Sequence, residues 1–510
     1  MTKAAPAGCV KTCRGRPPEP PAKRLLGRRF FVGGGMGYRV GEGRTQAALF
    51  PVMLDELVEA DAVVRVIDAW VESLDLGKLG FERAQPAPTG RPPYHPGDLL
   101  KLYLYGYLSG VRSSRRLERE CQRNVELMWM LGRLAPDHKT IADFRRTQSA
   151  ALVATAAAFV QFARAHRLVV GDTVAIDGSK LRAVASRKAV TGVSTLIEQD
   201  RVLTERIERY LRELDRVDET EAEARPQRTA VQESLAVLRR QQGQVQEQLQ
   251  GLRQTNRTTE VTTEPEARLM KSLNSAPGYN LQAAVDAASH LIVHHDLVNE
   301  VSDLQQLAPM ATATASALQR TELEVLADAG YSNGEHLAQL QAAGMEVVLP
   351  PARAVNNQGG GTLYERAAFS YDEAADAYRC PAGELLRRRG RSLRDKLFLY
   401  APDKGVCGGC ANKSSCTNAD RRWVTRSFFE AALEATKRRF HQRPDAMLRR
   451  RQTVEHPFGT IKEHILGNAR LLMRGMRGAK AELSLAVLAY NIKRTINLKG
   501  AAWVTAALAT

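Results

Sequence analysis

Two kinds of hydrophobic spacing divide the chain. From about residue 52 to 150, apolar residues recur at helical intervals. Leu54, Leu57, Val58 and Ala62 mark a first face, and Val64, Val66, Ile67, Trp70 and Val71 extend it toward Leu74. After the punctuation of Pro92, Pro93 and Pro96, the segment 99–108 (LLKLYLYGYL) is almost wholly apolar and predicts a buried helix. Leu117, Cys121 and Val125 share a face of the next helix, with Arg115, Arg116, Arg119 and Arg123 opposite. Pro136-Asp137 offers a further helix start before Thr140, Ile141 and Phe144.

Near residue 170 the spacing changes to runs rich in β-branched residues. Residues 168–181 predict a strand leading to Asp177 and Gly178, and 278–298 two strands joined around Ala287 to Ser289. Residues 323–333 predict a strand ending at Asp328, and 345–350 another. Helical spacing returns over 303–319 and 334–343, so a mixed α/β layer is expected. A long polar insertion interrupts this layer. Leu203, Ile207, Tyr210, Leu214 and Val217 step by alternating fours and threes. Val231, Leu235, Leu238, Val245, Leu249 and Leu252 keep that register, with Gln242 filling the gap and Pro226 between the runs. An antiparallel coiled-coil hairpin that closes within the chain is expected.

Composition narrows the class of partner. The 510 residues carry 73 Lys plus Arg against 56 Asp plus Glu, a formal net charge of +17. That excess points to a polyanion, with nucleic acid ahead of a membrane surface. The arginine-rich helix, short turn and second helix suit DNA docking, and equally a helical bundle with a solvated cationic face. No apolar run is long enough for a transmembrane helix, and the basic N-terminus lacks the apolar stretch of a secretory signal. Residues 1–45 read as a disordered basic tail. Within it, Arg14-Gly15-Arg16-Pro17 reads either as part of that tail or as a minor-groove segment, its shortness favouring the tail. Gly33-Gly34-Gly35-Met36-Gly37 lacks the Lys that phosphate binding requires.

Two constellations carry candidate chemistry. Asp177 and Asp328 each close a hydrophobic strand, at the rim of a sheet where ligands bind. Two such carboxylates in one place repel unless a cation neutralises them, and a hard divalent ion such as Mg²⁺ suits oxygen donors. In 449–464, Arg451, Glu455 and Lys462 follow Arg-x3-Glu-x6-Lys, which sets Arg451 beside Glu455 on a helix. Lys462 returns to that face if the helix continues, although Pro457 predicts a kink just past Glu455. Asp286 and Glu463 are the rival acids, Asp303 also lies near a strand end, and His294, His295 and His456 read as packing or surface residues. The second constellation is Cys380, Cys407, Cys410 and Cys416, spaced Cys-x26-Cys-x2-Cys-x5-Cys. Four thiolates suit tetrahedral Zn²⁺ in a closed structural site, with reduced or redox-active thiols as the other reading. Nearby, Arg387, Arg388, Arg389, Arg391 and Arg394 are placed to grip phosphates, whereas Cys9, Cys13 and Cys121 show no ligand spacing.

Together these stretches resemble the DDE transposases of bacterial insertion sequences, which have a ribonuclease-H-like core. AIDGSKLRA (175–183) resembles the first Asp motif and LADAGYSNGEHL (326–337) the second. Arg451, Glu455 and Lys462 match a Tyr-x2-Arg-x3-Glu-x6-Lys signature, whose Tyr falls on Leu448 here. Residues 90–120 and 136–146 resemble the helical domain that precedes such cores, and the resemblance spans roughly 45 to 495.

It implies an organisation of a helical DNA-binding domain (46–150) and a core begun by 168–195 and 257–350, with a hairpin insertion (196–256). A four-cysteine zinc insertion (365–420) and a C-terminal part bearing the Glu helix (425–500) would follow. The resemblance further implies that Asp177, Asp328 and Glu455 hold two Mg²⁺ ions. Arg451 and Lys462, with Arg115, Arg116 and Arg119 of the helical domain, would contact DNA. The activity implied is cleavage at the element's terminal inverted repeats and transfer of that end into target DNA, by a homodimer or larger assembly on DNA in a nucleoid-associated cytoplasmic setting. Two other classes fit the motifs: a retired transposase that only binds DNA, and a metal-dependent nuclease that cuts without joining.

Overall fold

A computed structural model describes residues 53–85, 92–218, 225–351 and 362–509, the side chains of 216–218 and 225–228 excepted. The tail expected over 1–45, with Arg14-Gly15-Arg16-Pro17, Gly33-Gly34-Gly35-Met36-Gly37, Cys9 and Cys13, lies outside them.

The helical spacing of the first part becomes α1 (Val63–Glu72), α2 (Pro96–Leu108), α3 (Ser114–Cys121), α4 (Val125–Met130), α5 (His138–Thr147) and α6 (Ser149–Ala165). The first apolar face is shorter than its spacing suggests. Leu54–Leu57 is only a 3₁₀ turn, and Leu57 is exposed. Val64, Val66, Ile67, Trp70 and Val71 are buried as expected, and the edges of Phe159 and Phe162 close on Trp70. α2 is buried on nearly every side. Val125 does not continue the helix of Leu117 and Cys121. The Asn124 carboxamide accepts the amides of Glu126 and Leu127, so a new helix is capped there. Asp137 caps α5 in the same way, through the Lys139 and Thr140 amides.

The mixed sheet is built from β1 (Thr173–Arg182), β4 (Arg268–Met270), β5 (Ala276–Asp286), β6 (Ile292–Val298), β7 (Glu324–Leu326) and β8 (Glu346–Val348). β1 pairs antiparallel with β5 and parallel with β7, β7 parallel with β8, and β6 antiparallel with β5. These directions fit the expected mixed core. α9 (Leu307–Leu318) and α10 (Gly334–Ala342) link the later strands. Between β2 (Val190–Gly192) and β3 (Thr259–Val261), a short antiparallel pair, the chain runs out and back as α7 (Val193–Asp218) and α8 (Arg225–Gln254). Ile207, Leu235 and Leu238 fill one stretch of this hairpin, and Leu196, Leu249 and Leu252 another. Between them Gln242 donates to the Thr204 hydroxyl, a polar rung in an apolar seam.

A second sheet, β9 (Ser370–Asp372), β10 (Ala377–Arg379), β11 (Leu385–Ser392), β12 (Leu397–Ala401) and β13 (Val424–Ser427), is antiparallel throughout. It has its own small core of Phe369, Tyr378, Leu386, Tyr400 and Val424, with the one-turn α11 (Lys413–Cys416) beside it. α12 (Glu430–Gln442), α13 (Ala446–Gly459), a π-helical turn over Thr460–Ile465, α14 (Gly475–Lys499) and α15 (Ala501–Leu508) complete the chain.

α14 binds the parts together. Leu483, Leu485, Val487, Leu488, Tyr490 and Ile492 are each 1% exposed or less. Burying an aliphatic or aromatic side chain of this size stabilises by about 1.5–3 kcal/mol. Its fully buried Glu482 pairs with Arg112 from the α2–α3 connection (2.9 Å) and accepts the Leu472 and Met473 amides. Arg112 also donates to the Arg470 and Leu466 carbonyls, so this ion pair has its remaining polar groups satisfied. The helical region is thereby joined to the segment that follows the π turn.

Candidate active site

Strand register decides which acids meet. β1 and β7 run parallel, with Ala175 opposite Leu326. Continued by two residues, that register sets Asp177 beside Asp328 on strands about 4.8 Å apart. β7 stops at Leu326, but β1 runs on to Arg182 against β5, with Asp177 opposite Ala283. Asp177 is therefore inside a strand, not at its end as the sequence suggests; it sits where the neighbouring strand ends. Gly178 permits this continuation. A Cβ there would lie 2.6 Å from both the Asp303 carboxylate and the Gln282 amide. Asp328 opens the 3₁₀ turn Ala329–Tyr331 and accepts the Gly330 amide.

A third residue lies between the two carboxylates. Arg450 of α13 places its Nη2 2.6 Å from Asp177 Oδ1 and 3.4 Å from Asp328 Oδ2. Sequence spacing pointed to Arg451 and passed over Arg450, and the signal that finds it is helical phase. Thr453, Val454 and Pro457 form the buried face of α13, and Arg450 precedes them by three, four and seven residues. Burial pushes the Asp177 carboxyl up to about 6, with Asp328 and Asp303 adding to the rise and Arg450 opposing it. Behind Asp177 lies a polar floor centred on Asp303, which accepts from Lys180 (3.0 Å), Asn280 (2.7 Å) and Gln282 (2.7 Å). The buried Tyr331 hydroxyl donates to Gln282 in turn.

The third proposed acid does not close on this pair. Glu455 is on α13, but its carboxylate accepts from Arg451 Nε (2.7 Å) and its side chain is 61% exposed. Leu448, at the signature's Tyr position, is exposed as well. The helix does not break just past Glu455 as Pro457 suggested. Pro457 and Phe458 are buried, their packing holds the helix to Gly459, and the irregularity follows as the π turn. That wider turn carries Lys462 out of the stripe that seven α-helical residues would give it. Among the described residues, no three His, Cys, Asp or Glu side chains are gathered tightly enough to hold a metal ion as they stand.

The other candidates are placed as follows. Asp286 is 1% exposed and accepts from the Gly171 and Ser289 amides and the Ser289 hydroxyl, which makes it the anchor of the β5–β6 turn. Glu463 is exposed on the π turn. The half-buried His295 meets the Ser484 hydroxyl, and His456 meets the Tyr490 hydroxyl. Arg115, Arg116 and Arg119 are exposed on α3, in no ion pair among the described residues. Cys121 is core, 2% exposed. Cys380, Cys407, Cys410 and Cys416 line one small cavity of about 30 Å³, and all four thiols are free. Burial pushes the Cys416 thiol up, Arg422 opposes this, and the other three thiols add to the rise. Arg387, Arg389 and Arg391 are exposed on β11, and Arg389 pairs with Asp403. Among the described residues, no helix is long and apolar enough to cross a membrane.

Comparison with known proteins gives two family matches. Residues 52–147 match the family model described as Transposase domain (DUF772), and residues 259–492 match Transposase DDE domain. The second match takes in Asp328 and Glu455 and begins after Asp177. No curated protein matches the chain. Among solved structures, the chain aligns with the cryo-EM structure of a piggyBac transposase synaptic complex with hairpin DNA. The identity is 8%, over 89% of this chain and 78% of that one, with a TM-score of 0.29. A likeness this low bears on neither fold nor site.

Proposed function

The chain is a DDE transposase of the insertion-sequence type, and we propose that it cuts DNA at its element's terminal inverted repeats and joins that end to target DNA at one site built on Asp177, Asp328 and Glu455. The observation that carries the reading is the bridged pair. The parallel register of β1 and β7 brings two carboxylates to a single positive charge, that of Arg450. A pocket that accepts a guanidinium between two carboxylates, with oxygen donors on both sides, also fits a hard divalent cation. Asp177, Asp328 and Glu455 would hold Mg²⁺, two ions in all. Bound there, Mg²⁺ supplies activation of the attacking oxygen and neutralises charge on the departing one.

The chain's own groups do the rest. The Arg451–Glu455 contact joins two exposed side chains four residues apart, and such pairs contribute less than about 1 kcal/mol. Breaking it releases Arg451 to reach a backbone phosphate, and Glu455, about 140° round the helix from Arg450, would join the two acids through a shift of α13. Lys462 provides a further cation on the π turn, while Arg115, Arg116 and Arg119 hold duplex away from the cut. Attack by water at the element end, then by the freed 3′-hydroxyl at the target, needs only in-line placement of the attacking and departing oxygens at phosphorus. The four thiols lining one cavity are a soft donor set whose chemistry suits Zn²⁺, and binding would draw them closer than they now stand. That site would hold the β9–β13 module together and take no part in the chemistry. Two or more copies would assemble on the paired element ends.

The test is a cleavage and joining assay with purified protein, Mg²⁺ and DNA carrying the element's terminal repeats. Asp177→Asn, Asp328→Asn and Glu455→Gln should each abolish cleavage and leave DNA binding in place. Cleavage retained by any one variant removes that residue from the site. Cleavage without joined product would make the protein a nuclease, and binding without cleavage a retired transposase.

A further inference from the structure

α13 carries three consecutive arginines, and only the middle one meets the acids. Thr453, Val454, Pro457 and Phe458 turn one face of the helix into the core, and Arg450 shares that face. Its side chain is 16% exposed, while that of Arg451, one position round the helix, is 70% exposed. Arg450 is thus delivered to the space between Asp177 and Asp328 by helix packing.

Two features loosen the hold on it. First, its Nε is buried and has no hydrogen-bond partner. The core arginine Arg145 shares that orphaned Nε, whereas a fully paired one looks different. Arg112 spends its donors on Glu482 and on the Arg470 and Leu466 carbonyls. An unsatisfied buried donor weakens the hold on Arg450 where it sits. Second, its two bonds are unequal: one carboxylate is held at 2.6 Å and the other at 3.4 Å. The remaining polar contacts of those carboxylates are backbone amides, Gly178 for Asp177 and Gly330 for Asp328. Both acids therefore keep their orientation if the guanidinium departs.

We propose that Arg450 is a displaceable internal counter-ion of the active site, which holds Asp177 and Asp328 together without a divalent cation and must swing out when one binds. The proposal rests on the reading of those two residues as metal ligands. A guanidinium and a divalent cation in the same small space repel strongly, so occupancy by one excludes the other. Arg450 keeps two like charges from splaying the β1 and β7 ends in the DNA-free protein. Once released, it remains at the mouth of the site on a long flexible stem, facing the phosphodiester that brings new negative charge. Metal binding and DNA binding are then coupled through a single side chain.

Direct metal binding tests this without relying on turnover. Mn²⁺ is titrated calorimetrically into the DNA-free, full-length protein at pH 7.5, and only the binding lost in Asp177→Asn is scored. Arg450→Gln should bind Mn²⁺ roughly tenfold more tightly than wild type, since a competitor holding about nine-tenths of the molecules weakens apparent affinity by that factor. Arg450→Met, similar in length, should do the same, and serves if the Gln variant fails to fold. Arg450→Lys keeps the charge and should stay near wild type. Unchanged or weaker Mn²⁺ affinity in the neutral variants, with binding still lost in Asp177→Asn, would overturn the counter-ion proposal and leave the ligand reading standing. Mn²⁺ binding that survives in Asp177→Asn at wild-type strength would instead remove the ligand reading itself.

Discussion

Asp177→Asn should make the protein more stable while destroying its activity. Burial lifts the Asp177 carboxyl from an ordinary value of 3.8 to about 6. The folded state therefore holds this proton more tightly than the unfolded chain does. Between those two values the native state carries more protons, and stability falls as pH rises. Above pH 6 the cost is constant. At 1.36 kcal/mol per pH unit, a rise of about two units corresponds to about 3 kcal/mol of destabilisation at pH 7. The help from Arg450 is already included, because it is one of the influences that set the folded value. A neutral amide of the same shape escapes the penalty in both states. The gain should be about 2–3 kcal/mol, since one Asn contact is less than ideal beside Arg450. Urea titrations of wild type and variant without added metal, followed by a probe of the core sheet, measure it directly. The difference should be full at pH 7.5 and vanish near pH 4, and cleavage should be lost throughout. A variant that is less stable at pH 7.5, or a difference that does not change with pH, would refute the claim that this carboxylate is held in a strained, desolvated state for the sake of the site.

Three further outcomes are expected. Cys407→Ser should lower zinc content by about one ion per chain and loosen the β9–β13 module, read by metal analysis and by protease sensitivity of residues 380–416; unchanged stoichiometry would reject the zinc site. DNA affinity should fall steeply with salt, by roughly 10³-fold or more between 50 and 200 mM if six or more phosphates are contacted; a flat response would contradict the use of the +17 charge. Burial holds His295 down at about 3, far below 6.5. The unfolded chain takes up a proton there first, so stability should drop as pH falls from 6.5, by about 2 kcal/mol at pH 5. A wild-type-minus-His295→Gln stability difference that stays constant from pH 7 to 5 would exclude that cause.

Much of this protein is local enough to be legible in its sequence. Helical spacing marks Trp70 and its neighbours as core, and the four-three steps from Leu203 and Val231 form the two-helix hairpin, including the polar rung at Gln242. Such patterns hold because side-chain direction along a helix or strand follows from position alone. The acids Asp177 and Asp328 are visible as well, since each follows a short apolar run. Local pattern does not say which strand lies beside which, or how far each one runs. Only the parallel pairing of β1 with β7 sets those two carboxylates side by side, and only the longer pairing with β5 puts Asp177 inside a strand. Likewise a run of three arginines looks uniform in sequence, yet the packing of Val454 and Pro457 sends Arg450 to the acids and leaves Arg451 in solvent with Glu455. Spacing chooses the face a residue occupies. What that face meets is decided by contacts between segments more than a hundred residues apart, whose energies depend on the assembled core and have no signature in any short window of the chain.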